Sequence, residues 1–565
     1  MSALDHPRTI FADPGGPLIL EGISASFSDR RVLTDITVIV PSGRIGCVIG
    51  ENGSGKSTLL RIAAGIHRPD AGSITVPGRV GLHHQQPPFP DHLTVAQVLE
   101  HAMAPVRQIV RDVEREGQAM ADGEPGAAQR LEDAIEAAER HHAWELDHRV
   151  EAVTGGFGLG ALPRDRPAAT LSGGQLARLG LAWLVLRAPD TLLLDEPTNH
   201  LDDAGAKLLL QMLQSWSGPV LVASHDRALL DEVTTDLFDL DPRPTPFRHV
   251  AHDQVSPGSG FGVTRFTGSY TDYRIWRQAE LHRWRRQYRD EQAELRRLRA
   301  RVGTDHTVGH AGAAPRTEGR ASRKFYADRN ATVVARRVND AAARLARLTE
   351  EQVRKPPATV QFTGFTRGSS SAPRGVVLAA AQVSIPGRLT PTTVSLSASD
   401  RLLVTGGNGS GKSTLLFVLA GDLAPQLGSV QRERRLAVGL LTQNPLPRGA
   451  GARVRAAYAS AVGDRVAEQV PLTTFGLLAG RDLDRPVASL SVGQRRRLDL
   501  AIVLADPPDV LLLDEPTNHL SLTLVSEIEA ALPDFPGAVV IASHDRWLRR
   551  NWSGRTLHLD PPDPC

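Results

Sequence analysis

Two octapeptides, GENGSGKS (50–57) and GGNGSGKS (406–413), carry the residue types that hold a polyphosphate. Glycines let a turn close until its backbone N–H groups converge, and the N-terminus of the following helix favours negative charge there. Lys56 and Lys412 supply a point charge to the β- and γ-phosphates, and the hydroxyls of Ser57 and Ser413 are ligands for Mg2+. The phosphate-binding residues are therefore Gly50, Asn52, Gly53, Ser54, Gly55, Lys56, Ser57 and Thr58, and again Gly406, Asn408, Gly409, Ser410, Gly411, Lys412, Ser413 and Thr414. TLLLDE (191–196) and VLLLDE (510–515) bring carboxylates to the end of an apolar strand. Asp195 and Asp514 are placed to hold the magnesium through water, and Glu196 and Glu515 to polarise an attacking water. His225 and His544 sit in ASHDR runs after apolar strands, positioned to contact the γ-phosphate. A lone histidine reads as structural, and the repeated context reverses that.

These groups need a scaffold, and the sequence supplies it twice. RIGCVIG (44–50) reads as a strand and STLLRIAAG (57–65) as the helix after it, so the architecture is α/β. LSGGQLARL (171–179) returns as LSVGQRRRL (490–498), and VASHDRALL (222–230) as IASHDRWLR (541–549). Four motifs in the same order make this a duplicated domain. From Gln85 to Ser172 is 87 residues, but from Gln443 to Ser491 only 48, so the first half holds an insertion, placed at 97–147. Its helical periodicity breaks at ADGEPG, which predicts a projecting helical hairpin.

A second insertion separates the halves, giving a domain 1–240, a linker 241–375 and a domain 376–565. Leu281, Trp284, Tyr288, Leu295, Leu298 and Val302 recur at 3–4 residue spacing with a break at Glu291. Val334, Val338, Ala341, Leu345 and Leu348 continue the rhythm on a returning helix. The pattern predicts an antiparallel pair over 270–353 with an irregular Gly/Pro-rich tip, 303–319. A helix from Tyr270 to Val302 reaches about 50 Å. A solvated flexible linker is the alternative.

Composition narrows the function. With 565 residues the chain exceeds one core. No run is long and apolar enough to span a bilayer, no signal pattern opens the chain, and a cytoplasmic protein is expected. Two cysteines exclude a disulfide framework or a zinc site. The net charge of +2 conceals a segment, Arg274–Lys355, with 21 basic and 10 acidic residues. Such a rod suits a polyanion, and arginine both pairs with RNA phosphates and stacks on unpaired bases. A solvated coiled coil with idle charges is the competing reading.

Phosphate loop, glutamine, LSGGQ, LLLDEPT and SHDR, in that order, resemble the ATP-binding cassette ATPases over roughly 19–240 and 376–560. The resemblance implies two tandem P-loop cassettes joined by a long antiparallel helical-hairpin linker, closing face to face over two ATP molecules. Site one then combines Lys56, Gln85, Asp195, Glu196 and His225 with Ser491 and Gly493. Site two combines Lys412, Gln443, Asp514, Glu515 and His544 with Ser172 and Gly174. Gln85 and Gln443 join Ser57, Asp195, Ser413 and Asp514 around the magnesium, and Phe27 stacks on adenine where the second half has Ile385. The second signature has Val492 for a glycine, and Ser521 stands where the first half has Asp202. Two hydrolysis-competent sites of unequal nucleotide affinity are expected.

EPTNHLD (196–202), the missing membrane span and the charged linker resemble the ABC-F subfamily, as does FTGSYTDYR (266–274) at the linker entry. That implies a ribosome partner: the arm on the large subunit, and the linker near the tRNA exit site against rRNA and P-site tRNA. It implies a monomer whose own cassettes pair, with no membrane and no DNA partner. LSVGQRRRL, NHLS and the extended tip look like the subfamily's antibiotic-resistance proteins, which displace macrolides, lincosamides or streptogramins. A housekeeping translation factor and the ATPase of an exporter with separate membrane subunits are the alternatives.

Overall fold

Short apolar runs buried on both faces are what a helix-covered parallel sheet requires, and each half contains one. The computed structural model describes residues 9–12, 15–27, 30–51, 53–83, 89–199, 201–246, 261–304, 320–357, 375–407, 409–443, 451–517 and 522–562; of these, 9–12, 30, 304, 320–335, 481 and 523 are described by backbone alone. In the first half the strand order is Thr264–Phe266, Asp236–Asp239, Ile45–Ile49, Val220–Ala223, Thr191–Asp195 and Val80–His83. In the second it is Val438–Leu441, Val510–Asp514, Ala538–Ala542, Arg401–Gly406 and Arg555–Leu559. Neighbours are parallel except Thr264–Phe266, which adds antiparallel to Asp236–Asp239. The chain is α/β, two tandem cassettes.

Strand order brings the chemistry together. The strand feeding the first phosphate loop lies beside the one ending before His225, and Ala223 of that strand lies opposite Asp195. Lysine, histidine and carboxylates therefore emerge at neighbouring C-terminal strand ends, where open α/β sheets bind ligands. Each cassette adds a second sheet: Leu18–Phe27, Arg30–Val40 and Ala71–Pro77 run antiparallel in the first, with Thr9–Ala12 parallel to Ala71–Pro77 at its edge, and Val376–Ile385, Leu389–Ser397 and Leu427–Arg432 run antiparallel in the second. The two faces of each parallel sheet pack into separate cores, with Leu193, Leu221 and Phe238 on one side and Leu192, Leu194 and Val222 on the other.

The first cassette's insertion is a helical pair, Val95–Ala121 and Ala127–Arg140. A capping box between Thr94 and Gln97 starts it, and Gly123 and Gly126 turn it with positive φ. Near the turn, Glu116 accepts from Arg130 at 2.6 Å and from Arg115 at 3.0 Å, which clamps the two helices together.

Between the cassettes run helices Tyr270–Thr304 and Arg320–Glu351. Trp284, Leu295 and Leu298 are buried, and Val338, Ala341, Leu345 and Leu348 are half-buried on a mostly exposed partner. The side chain of Val334 and the tip residues 305–319 lie outside the described residues. Glu291, the break in the seam, closes the end of the pair opposite the tip. Its carboxylate accepts from the backbone N–H of Val353 at 2.8 Å, where the returning helix ends. Two turns earlier, Trp284 donates to the Arg354 carbonyl at 2.8 Å. Glu291→Ala leaves that end open and costs about 1–3 kcal/mol locally. Amide exchange over 336–353 is expected to accelerate while the cassettes hold; unchanged exchange there would remove the capping role.

Candidate active site

Glycine is obligatory where each phosphate loop enters its helix. Gly55 has φ 102°, and a Cβ there would come within 2.5 Å of Leu33; Gly411 has φ 93°, and a Cβ would meet the Arg388 carbonyl at 2.4 Å. With the turn closed, each lysine folds over its own loop. Lys56 Nζ donates to the carbonyls of Gly50 at 2.7 Å and Glu51 at 3.2 Å. Lys412 does the same to Gly406 at 2.8 Å and Gly407 at 3.0 Å. Burial lowers the pKa of both lysines, against the pull of Glu196 and Glu515 respectively.

The donor sets fit a polyphosphate and its magnesium. Ser54 Oγ and Ser410 Oγ are buried in the loops without a hydrogen-bond partner, and so is Asp514 Oδ1 at the strand end. Ser413 is hydrogen-bonded to Asp514, so two expected magnesium ligands already touch. No cluster of three His, Cys, Asp or Glu side chains suited to a metal occurs among the described residues.

Both glutamates sit on left-handed backbone, Glu196 at φ 49° and Glu515 at φ 48°. For a side-chain-bearing residue this costs about 1–2 kcal/mol. Each is held there by its own N–H, which donates to Ala223 or Ala542 at 2.8 Å. The surroundings of the two differ. Glu196 accepts from the His225 N–H at 3.1 Å, with the imidazole Nε2 at 3.5 Å. Glu515 has the His544 Nδ1 at 2.7 Å and also accepts from the Ser543 hydroxyl at 3.2 Å. Burial pushes the Glu196 carboxyl up to about 7, with Lys56 opposing. Burial works against a charged His544, but Glu515 outweighs it and raises its pKa.

One contributor has no counterpart among the motif residues. Arg496 is fully buried and donates to the backbone carbonyls of Asp514 and Glu515, bracing the second carboxylate pair from beneath. The first half has Ala177 at that position. The only signal for it in the sequence is the run QRRRL against QLARL.

A cavity of about 470 Å³ at the first loop is lined by Lys56, Ser57, Thr58, Asp195, Glu196 and His225, and from the second cassette by Thr517, His544, Asp545 and Arg546. Ser491 and Gly493 do not line it. Ser172 and Ser491 instead begin their signature helices, each in a reciprocal cap with Gln175 or Gln494. Arg497 on the second signature helix nevertheless lies within electrostatic reach of Glu51 in the first loop. Phe27 is 46% exposed, its ring edge-on to His67, whereas Ile385 is buried in the second core and offers no face to a base. Gln443 is exposed; Asn52, Gln85 and Asn408 lie outside the described residues.

The cassettes meet through a reciprocal pair of arginines. Arg227, 1% exposed, grips Glu529 with two bonds of 2.6 Å and reaches Asp545 at 2.9 Å. Arg546 reaches back to Asp226 at 3.5 Å and Glu232 at 3.4 Å. Burial opposes the charge on Arg227, but its two carboxylates outweigh that and keep it protonated. The same helix that carries Asp231 and Glu232 in the first half carries Arg549 and Arg550 in the second, and Arg550 pairs with Glu232.

The chain matches the ABC transporter family model over residues 33–199 and 389–518. It is 37% identical over 559 residues to the tylosin resistance ATP-binding protein TlrC of Streptomyces fradiae, covering 97% of this chain and 98% of that one. Its identity to the energy-dependent translational throttle protein EttA of Mycobacterium tuberculosis is 30% over 553 residues, 94% and 88% of the two chains. The RNase-L inhibitor structure superposes with a TM-score of 0.56 at 18% identity, over 96% of this chain and 90% of that chain, a likeness of fold.

Arg227→Ala strands Glu529 and Asp545 in the interface, a loss of about 3–5 kcal/mol for a buried pair. Small-angle scattering is expected to show the cassettes separating; an unchanged scattering curve would place the cohesion elsewhere. Glu196→Gln and Glu515→Gln, with their different neighbours, are expected to give unequal losses in steady-state ATP turnover, at least one about 100-fold at its own site. Identical losses and ATP affinities in the two variants would refute the asymmetry.

Proposed function

The chain belongs to the ABC-F subfamily of ATP-binding cassette ATPases, and on that premise we propose that it protects ribosomes by displacing a large-subunit antibiotic of the macrolide, lincosamide or streptogramin class. The chain is an ATP hydrolase. The observation that carries the resistance reading is 37% identity to a tylosin resistance protein across 97% of the chain, linker and arm included.

Within this proposal the phosphate loops and Lys56 and Lys412 bind ATP, Glu196 and Glu515 orient the attacking water, and His225 and His544 hold those carboxylates. Magnesium, when bound by Ser57, Asp195 and Gln85, or by Ser413, Asp514 and Gln443, neutralises charge on the transferred phosphate. Phe27 packs on the adenine of site one. Closure brings Ser491 and Gly493 up to the first loop and Ser172 and Gly174 up to the second. The domain division at 240 and 375, with the arm at 97–147, belongs to the same reading. The arm meets the large subunit, and the linker rod lies along rRNA and P-site tRNA near the exit site, so that tip 303–319 displaces the drug. Hydrolysis then releases the protein. The protein works in the cytoplasm as a monomer, its own cassettes paired.

A housekeeping translation factor is the second reading, favoured by the 30% identity to a translational throttle protein. An exporter ATPase would need separate membrane subunits, since no helix among the described residues is long and apolar enough to cross a bilayer.

Glu196→Gln/Glu515→Gln is expected to co-sediment with 70S ribosomes only when ATP is present, with binding falling steeply as salt rises. Absence of co-sedimentation with ATP binding intact would remove the ribosome from the proposal. Replacing 303–319 by a short Gly/Ser turn is expected to abolish protection of translation against tylosin and spare ATPase activity. Protection surviving that change would refute the tip's part; drug-independent slowing of translation by the intact chain would favour the housekeeping reading.

A further inference from the structure

We propose that Asp241, Asp239 and Tyr273 are positioning residues that tie the first phosphate loop to the base of the linker, so that ATP in site one, and not in site two, sets where the linker sits. This rests on the reading of both loops as ATP sites.

The tie is a continuous line of hydrogen bonds. The Glu51 N–H, in the phosphate loop, donates to Asp241 Oδ1 at 2.7 Å. The Asp241 N–H donates to Asp239 Oδ1 at 2.8 Å. The other oxygen of Asp239 accepts from the Tyr273 hydroxyl at 2.6 Å and has Arg277 Nε at 3.3 Å, both residues lying in the first turns of linker helix Tyr270–Thr304. Asp239 and Tyr273 are buried, so these bonds form where water does not compete and where losing one leaves a polar group stranded. Burial raises the tyrosine well above its ordinary pKa, which keeps it a donor.

The loop end of this line is the part that must move when phosphate binds. Lys56 rests on the carbonyls of Gly50 and Glu51, and Asp241 holds the N–H of that same Glu51. A polyphosphate that draws Lys56 off those carbonyls re-aims the peptides Asp241 is bonded to. The linker end is equally poised: Thr271 is pinned to Asp231 at 2.9 Å and 2.8 Å, and the ring of Tyr270 stands edge-on to Trp547 of the second cassette. A shift of the helix base is therefore felt by both cassettes.

The second half lacks the device. By strand register His558 stands where Asp239 does, and Asp560 where Asp241 does. The side chains of His558 and Asp560 are 67% and 86% exposed, and Arg555–Leu559 is the last strand of its sheet among the described residues. Binding linkage makes the coupling reciprocal, so loosening the linker base must change nucleotide affinity at site one.

The test uses the full chain with one site disabled. Lys412→Ala leaves site one and Lys56→Ala leaves site two, each titrated with a fluorescent ATP analogue. Tyr273→Phe, which removes one hydroxyl, is expected to weaken site one by about fivefold, the size of one such bond, and to leave site two unchanged. Pulsed EPR between labels at Arg299→Cys and Glu21→Cys, in a Glu196→Gln background, supplies a readout that mere destabilisation does not move. The nucleotide-driven change in distance is expected with Tyr273 and lost at saturating nucleotide with Tyr273→Phe or Asp239→Asn. Unchanged site-one affinity together with an intact distance change would overturn the proposal, as would equal weakening of both sites. If the Lys412→Ala chain with Tyr273 intact binds no nucleotide, the ATP reading of site one falls and takes this proposal with it.

Discussion

Everything in this molecule is arranged around two arginines that follow the same Ser-His-Asp. Arg227 and Arg546 each bond the aspartate that precedes the other. A buried guanidinium is tolerable only when fully paired, so the contact fixes one way for the halves to meet. Because duplicated domains carry the same peptide, the surface one half offers is answered by the same surface turned round, as in an isologous dimer. The arginines sit two residues beyond the histidines, so the pivot between the cassettes is placed at the chemistry itself. The cavity at the first loop accordingly includes residues of the second cassette.

The duplication is broken in ways that give the halves different work. Asp203 and Glu232 against Arg549 and Arg550 turn a symmetric contact into a complementary one. Arg496 stiffens the second carboxylate strand, where the first has an alanine. Ser543 and a close imidazole hold Glu515, whereas Glu196 is held more loosely and burial raises its pKa. Phe27 presents a ring at the first site and Ile385 is committed to the core of the second. The linker helix is hydrogen-bonded to the first cassette through Asp239 and Asp231 and meets the second with the Tyr270 ring against Trp547.

Much of this was legible in the sequence, for identifiable reasons. Phosphate loops, carboxylate strands and histidines were readable because each motif fixes its own local geometry, and strand order then did the assembly. The linker seam was readable because packing a rod selects the same spacing at Leu295 and Leu298 as at Leu345 and Leu348. Glu291 looked like a fault in that seam because its partner, the N–H of Val353, is 62 residues away. Arg496 and Arg227 were unreadable for the same reason: a charged residue's burial depends on what meets it across the fold. Asp239 and Asp241 sat in a run of acids after a strand, and nothing local distinguished a brace from a solvated edge.

The left-handed backbone at Glu196 and Glu515 has a consequence for how such a chain can drift. Glycine suits that conformation better than any residue with a Cβ, so the fold itself would be relieved by discarding the carboxylate that the chemistry uses. Stability and turnover pull in opposite directions at these two positions. A duplicate released from the need to hydrolyse ATP would be expected to lose its glutamate early, and to become a sturdier, silent nucleotide binder. That both glutamates stand in this sequence marks neither half as having taken that route.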